Sequence, residues 1–464
     1  MTARQRNEKL AAVIAESSLS HAQVASAFVR VALEANAREF ATVGRSHVSH
    51  WVGGSSPSGC GPAFLAEALS RRLGRTVTLD EIGLARADGP ASIQPAWDVD
   101  TLAALADLGR GDVDVTRRSV LGAAAYSAAA LTVPAGPWWD QMIQRGRDRA
   151  PRGSRLVGRG DLEAVKETGR LLSEIDQRRG GGHARTAVVQ YLTSDISRYL
   201  RGTYADDHLR REMFSTAGEL AYLAGWMAFD NAEHSLAQHY FSVAVKLAAE
   251  ADDPPLAGHI LRAMAHQALD LGHRTQALDL AAASTAGKRS TTASPRERAL
   301  TGVVHARALA ATGRTREAAA ALLEAERDLA SATPDGEPGR VYFFGEASLA
   351  HETARTLREM GDLSGAAREF RRSVRTRKAD AFARTHVVTL GYLGSTLAGL
   401  GNVEEACGTW SDALTAMDGI HSGRARQVVL DMRSELAAFR GRRLRSVAEL
   451  DAIAAGYLSS TSHP

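Results

Sequence analysis

Four times in the C-terminal half of the chain a glycine is followed five residues later by an alanine: Gly272 and Ala277, Gly313 and Ala318, Gly361 and Ala366, Gly401 and Ala406. Each pair opens a similar stretch, GHRTQALDLA, GRTREAAAAL, GDLSGAAREF and GNVEEACGTW, and each is preceded by a second helical pattern that ends in apolar residues. Glycine permits the left-handed residue that stops the first helix, and alanine lets the second helix approach closely. An earlier, degenerate copy, LAGWMAFDNAEHSLAQHYFSVAVKLA, has Ala237 at the alanine position. The glycines lie 41, 48 and 40 residues apart, against about 34 for a standard tetratricopeptide repeat. The helices or loops must be longer, as at SATPDGEPG (331–339). A pattern of this kind predicts stacked helical hairpins, a tetratricopeptide-like α-solenoid over residues 161–458.

The rest of the composition agrees with an all-α fold. Alanine and leucine abound, long β-branched runs are missing, and 464 residues exceed one ordinary core. The net charge of +3 is too small to imply a nucleic-acid partner by itself, so any DNA-binding surface must be local. Two cysteines far apart, Cys60 and Cys407, offer no disulfide framework, which suits a reducing cytoplasm. The N-terminal MTARQRNEKLAAVIAES lacks an apolar signal core, so export is not expected. Residues 86–160 read as a linker. It contains ADGPASIQP, a short helix at Val99–Leu108, and the apolar segment TRRSVLGAAAYSAAALTVPAG (Thr116–Gly136). Despite its twin arginines, the apolar run Val120–Val133 is shorter than the roughly 20 residues that span a bilayer; it reads as a buried or linker helix, with no membrane partner. The basic stretch that follows, from Arg145 through Arg159, reads as a solvated loop.

Residues 1–85 form a separate helical unit. A first helix over Asn7–Glu16 presents Leu10, Val13 and Ile14 on one face. Ser20 with Gln23 three residues on makes a capping box for a second, whose core face is Val24, Phe28 and Val31. In GRSHVSHWVGGSSP (Gly44–Pro57), Val48 and Trp51 point inward, and Arg45, Ser46, His47, Ser49 and His50 point outward. Pro62 suits the first turn of a fourth helix, striped by Phe64, Leu65, Leu69 and Leu73. Thr78 and Glu81 announce a fifth. Five short helices with a polar third one match a lambda-repressor-like helix-turn-helix architecture. Such a helix fits the major groove, where arginine pairs with guanine and Ser or His reaches bases or phosphates. The usual tight turn before the third helix is replaced by a longer stretch, Ala32–Gly44. With nine Lys/Arg against seven Asp/Glu, this region is only mildly basic.

Several stretches together resemble a family of actinobacterial XRE-type regulators with tetratricopeptide-like C-terminal domains. They are VGRSHVSHWVGG, AEALSRRLGRTVTLDEIGL, TRRSVLGAAAYSAAAL, GGGHARTAVVQYL, LAYLAGWMAFD and HQALDLGHRTQALDLA. The likeness covers nearly the whole chain and implies transcriptional control, with the DNA-facing role on Arg45, Ser46, His47, Ser49 and His50. It carries no catalytic residues.

Other signals are weaker. His47 and His50 are spaced i, i+3 but lack carboxylate or cysteine neighbours, so no metal is expected. RRGGGHARTAVVQYL (Arg178–Leu192) can attract an anion at a helix start, but reads better as a loop between helices. STAGKRST (Ser284–Thr291) lacks the glycine and the Ser or Thr of a P-loop. The aromatics between Tyr191 and Phe241 read as packing for the first repeats. The expected function is therefore a non-enzymatic regulator without a cofactor that binds double-stranded DNA. Its repeats would form a homodimer and receive a peptide, protein or small-molecule effector. The alternative is a repeat-class interaction scaffold that does not bind DNA.

Overall fold

The computed structural model describes residues 5–35, 37–85, 97–113, 126–127, 131–134, 136–150, 153, 155–439, 441 and 444–460. ADGPASIQP and most of the Thr116–Gly136 segment lie outside the described residues. The fold is all-α, with a solenoid-like C-terminal region. Among the described residues the only sheet is a two-residue parallel pair, β1 (Leu156–Val157) with β2 (Thr203–Tyr204). No described helix is long and apolar enough to cross a membrane. Contacts divide the chain into two compact units, residues 1–162, 189–229 and 233–283 in the first, and 163–188, 230–232 and 284–464 in the second.

The first unit opens with α1 (Glu8–Ser17), α2 (His21–Glu34), α3 (Arg45–Val52) and α4 (Gly61–Leu73). Local chemistry sets their ends. The Asn7 side chain accepts from the Leu10 amide, and Ser20 and Gln23 form the expected reciprocal box at α2. Gly74, at φ 67°, ends α4 in the left-handed conformation. Between α2 and α3 a single 3₁₀ turn, Arg38–Phe40, drops Phe40 into the core. The fifth expected helix is one hydrogen-bonded turn over Thr78–Leu84. Leu10, Val24, Phe28, Val48, Trp51, Phe64, Leu65 and Ile82 share one core. At its centre Phe28 meets Phe40, Trp51 and Phe64 at centroid distances of 5.5, 5.0 and 6.2 Å.

Further on come α5 (Thr101–Val113), α6 (Gly136–Asp148), α7 (Arg159–Arg179) and α8 (Gly181–Tyr191). The basic stretch differs here from the solvated loop expected. Arg145 and Arg147 are helical, in α6. Arg149 is largely buried, its guanidinium held by Glu250 at 2.7 Å and Asp100 at 3.0 Å. A carboxylate 101 positions away gives no local sequence signal.

Paired helices then follow in order. The first unit holds nearly all of α9 (Asp207–Asp230), then α10 (His234–Glu250), α11 (Pro254–Asp270) and α12 (Arg274–Ser284). In the second unit are α13 (Pro295–Ala311) with α14 (Thr315–Ser331), α15 (Glu346–Glu359) with α16 (Leu363–Thr376), α17 (Ala383–Gly399) with α18 (Val403–Thr415), and α19 (Gly423–Ala437) with α20 (Arg445–Ser460). All four repeat glycines sit at φ 81–86°, and all four matched alanines, like Ala237, are fully buried. In the degenerate copy Ala232 takes the left-handed position, at φ 63°. Two 3₁₀ turns, Pro334–Gly336 and Gly339–Val341, fill the longest repeat interval. Tyr240, Phe241 and Phe229 are buried repeat packing, whereas Tyr222 and Trp226 are half-buried.

Candidate nucleic-acid interface

Helix α3 is short because its ends are fixed by small residues. Gly44 leads in as extended backbone, and Gly54, at φ 98°, closes the far end with its amide on the Trp51 carbonyl. Val48, Trp51 and Val52 bury one side of the helix in the domain core. Arg45, Ser46, His47, Ser49 and His50 are all exposed.

These five side chains are not equivalent. The Gly44 amide donates to His47 Nδ1 at 3.2 Å, which places the imidazole proton on Nε2 and leaves that atom as a donor. The Ser49 hydroxyl, though exposed, is already bonded within the domain. It donates to the Arg45 carbonyl at 3.1 Å, and its oxygen lies 2.9 Å from His21 Nδ1 at the start of α2. Outward chemistry therefore falls to Arg45, Ser46, His47 and His50. Arg38 and Arg45 are exposed and make no ion pair with the described residues, and the same holds for Lys9, Arg30 and Arg72. By contrast, Arg71 and Arg75 are tied to carboxylates. Arg71 holds Glu34 and Glu67 at 2.7 and 2.8 Å, and Arg75 holds Glu16 and Glu81. Sequence reading did not single out Arg38 or His21. The first follows a break in helical periodicity, and the second is brought to α3 only by the turn of the chain.

Within the same unit, α4 is docked on the Gly272 repeat turn. Glu67 Oε1 lies 2.8 Å from His273 Nε2, both side chains nearly or fully buried, and the Gln276 amide donates to Thr76 at 3.0 Å. The Tyr126 ring stacks on His273 with centroids 5.5 Å apart. At Gly272 a Cβ would come within 3.2 Å of the Arg71 carbonyl, and its φ of 86° adds to the demand for glycine. None of these docking groups belongs to α3. Replacing His273 with alanine is expected to weaken the docking by about 2 kcal/mol through the lost buried bond to Glu67. Hydrogen exchange read at the α4 amides should speed up while α2 stays protected; unchanged α4 exchange would assign the docking to other contacts.

Two motifs set aside above acquire structural roles. The glycine cluster starts α8, whose Gly181 amide donates to the Asp230 carboxylate at 3.0 Å, so a carboxylate of the chain itself serves as the anion there. Lys288–Thr291 forms one short helical turn. Among the described residues, no group of three or more His, Cys, Asp or Glu is placed to hold a metal ion.

Residues 10–85 match the family model of the SP15 N-terminal domain. The matched stretch coincides with the N-terminal core, which runs from Leu10 to Leu84. No curated protein and no solved structure matches the chain.

Proposed function

We propose that this protein is a non-enzymatic, cytoplasmic transcription regulator of the XRE type. Its N-terminal domain reads double-stranded DNA through α3, and its tetratricopeptide-like repeats dimerise and receive an effector. The observation that supports this reading most is the exposure of Arg45, Ser46, His47 and His50 on a helix anchored by Val48 and Trp51. An eight-residue helix of this kind fits the major groove, where Arg45 suits the paired acceptors of guanine and His47 Nε2–H a single acceptor. Arg38 suits a phosphate, which positions the protein without reading sequence. In a dimer two such helices lie about one DNA turn apart and favour an inverted-repeat site.

Selection from a random duplex pool with the full chain tests the reading. An enriched inverted repeat is expected, with affinity that falls steeply with salt. Arg45→Ala and His47→Ala should each lower affinity for that site about tenfold to a hundredfold, with melting temperature unchanged in Arg45→Ala, whose side chain is exposed and unpaired, and slightly lowered in His47→Ala, which loses the acceptor for the Gly44 amide. No enriched sequence, together with a stable protein partner, would instead favour a repeat-class interaction scaffold.

A further inference from the structure

Tyr126 and Ser127, in the stretch between α5 and α6, are held on the first unit by contacts of the kind that hold a bound peptide. The buried Gln238 side chain of α10 grips both backbone groups of Ser127. Its Nε2 donates to the Ser127 carbonyl at 2.9 Å, and the Ser127 amide donates to its Oε1 at 3.2 Å. A side-chain amide that pairs with one residue in both directions acts as a neighbouring strand does, and it reads backbone rather than side chain. The Tyr126 ring is buried and stacks on the face of His273, which leaves Nε2 of that histidine with Glu67. We propose that this is an exchange site: a short peptide with phenylalanine in the place of Tyr126 binds there and displaces the chain's own segment.

The choice of phenylalanine comes from a flaw in the present occupant. The Tyr126 hydroxyl is shut off from water and makes no hydrogen bond with the described residues. Burial, with the Glu67 carboxylate acting the same way, pushes it well above the usual tyrosine range and keeps it neutral. A polar group stranded in this way is costly, and phenylalanine offers the same ring without it. The residue after the ring must keep its amide hydrogen, because Gln238 accepts from it, so proline is excluded there. In the sequence the occupant is flanked by alanines, Ala123–Ala125 and Ala128–Ala130, so small neighbours suit the site. A tethered segment competes at an effective concentration on the order of millimolar, and the better ring is what lets a free peptide win. The peptide gives the effector of the preceding proposal a chemical class, and the inference rests on that reading. Its binding is measured without DNA, so either can fail alone.

The test is fluorescence anisotropy of a labelled synthetic peptide, residues 116–131 of this sequence carrying Tyr126→Phe, titrated with the full chain. Ser127→Pro in the chain removes the amide that Gln238 holds and empties the site without touching Gln238 or His273. That variant should bind the peptide saturably and at least about tenfold more tightly than wild type, because the tethered competitor is gone. Tyr126→Ala in the chain empties the site by a second route, should behave alike, and carries the test if the proline variant misfolds. With the emptied chain, the peptide with its natural tyrosine should bind at least about fivefold more weakly. Peptides carrying Tyr126→Ala or Ser127→Pro should bind at least about tenfold more weakly. No saturable binding to either emptied chain, equal affinity in wild type and both variants, or equal binding of the Tyr126→Ala peptide would each overturn the proposal. So would loss of a dimer in Ser127→Pro without uptake of peptide, which would assign the site to the same segment of a second copy.

Discussion

Arg384→Met is expected to destabilise the second unit by about 3–5 kcal/mol, the cost of removing one partner from a buried ion pair. Arg384 Nη2 lies 3.0 Å from Asp176 Oδ2 and Nη1 lies 3.2 Å from Asp230 Oδ1, with all three side chains almost completely buried. Its Nε also donates to the Asp176 carbonyl at 3.3 Å. Methionine fills similar space and supplies no charge, so two carboxylates would stay in a dry environment. Burial already pushes the Asp176 carboxyl up to about 6; Asp230 pushes it the same way and Arg384 holds it down. A folded value above the unfolded one means that this group contributes stability at low pH and loses it as pH rises through about 6. Without Arg384 that loss deepens, so the deficit of the variant should be larger at pH 8 than at pH 5. Chemical denaturation at both pH values measures it. Adding Asp176→Asn and Asp230→Asn should recover most of the loss; a variant as stable as wild type at pH 8 would show the cluster to be energetically idle.

Phe28→Ala is expected to cost the N-terminal domain about 3–5 kcal/mol, the usual range for truncating a buried phenylalanine. Phe28 is fully buried and touches the rings of Phe40, Trp51 and Phe64, so its removal opens a cavity where α2, α3, α4 and the 3₁₀ turn meet. So small a domain has little stability to lose. Loss of helix protection over Glu8–Leu73, followed by hydrogen exchange, should accompany loss of any binding through α3. This contrasts with Arg45→Ala, expected to affect binding alone. If Phe28→Ala leaves exchange in α3 unchanged, the aromatic centre is not what holds that helix in place.

Local periodicity accounts for what could be read in advance. The capping pair Ser20 and Gln23, the inward Val48 and Trp51, and the glycine–alanine spacing of the repeats each act within a few residues, so their signal survives in the sequence. The candidate site was legible as a polar helix with a buried side. Its internal division was not. That Ser49 is spent on His21 depends on the packing of α2 against α3. Charged pairs were the least legible. Arg384 with Asp176, His273 with Glu67, and Arg149 with Glu250 join residues 208, 206 and 101 positions apart. Neither period nor propensity links such residues, and a basic run looks the same whether its arginines face water or a buried carboxylate.

The Gly272 turn has a consequence for control. His273 and Gln276 are already occupied by Glu67 and Thr76. A molecule that needs those two side chains can engage them only after α4 has let go. It would therefore compete with the domain's own seat, and whatever favours the seated arrangement would weaken that molecule by the same factor. Such rivalry requires no change within α3 itself, only a choice by one turn between two occupants.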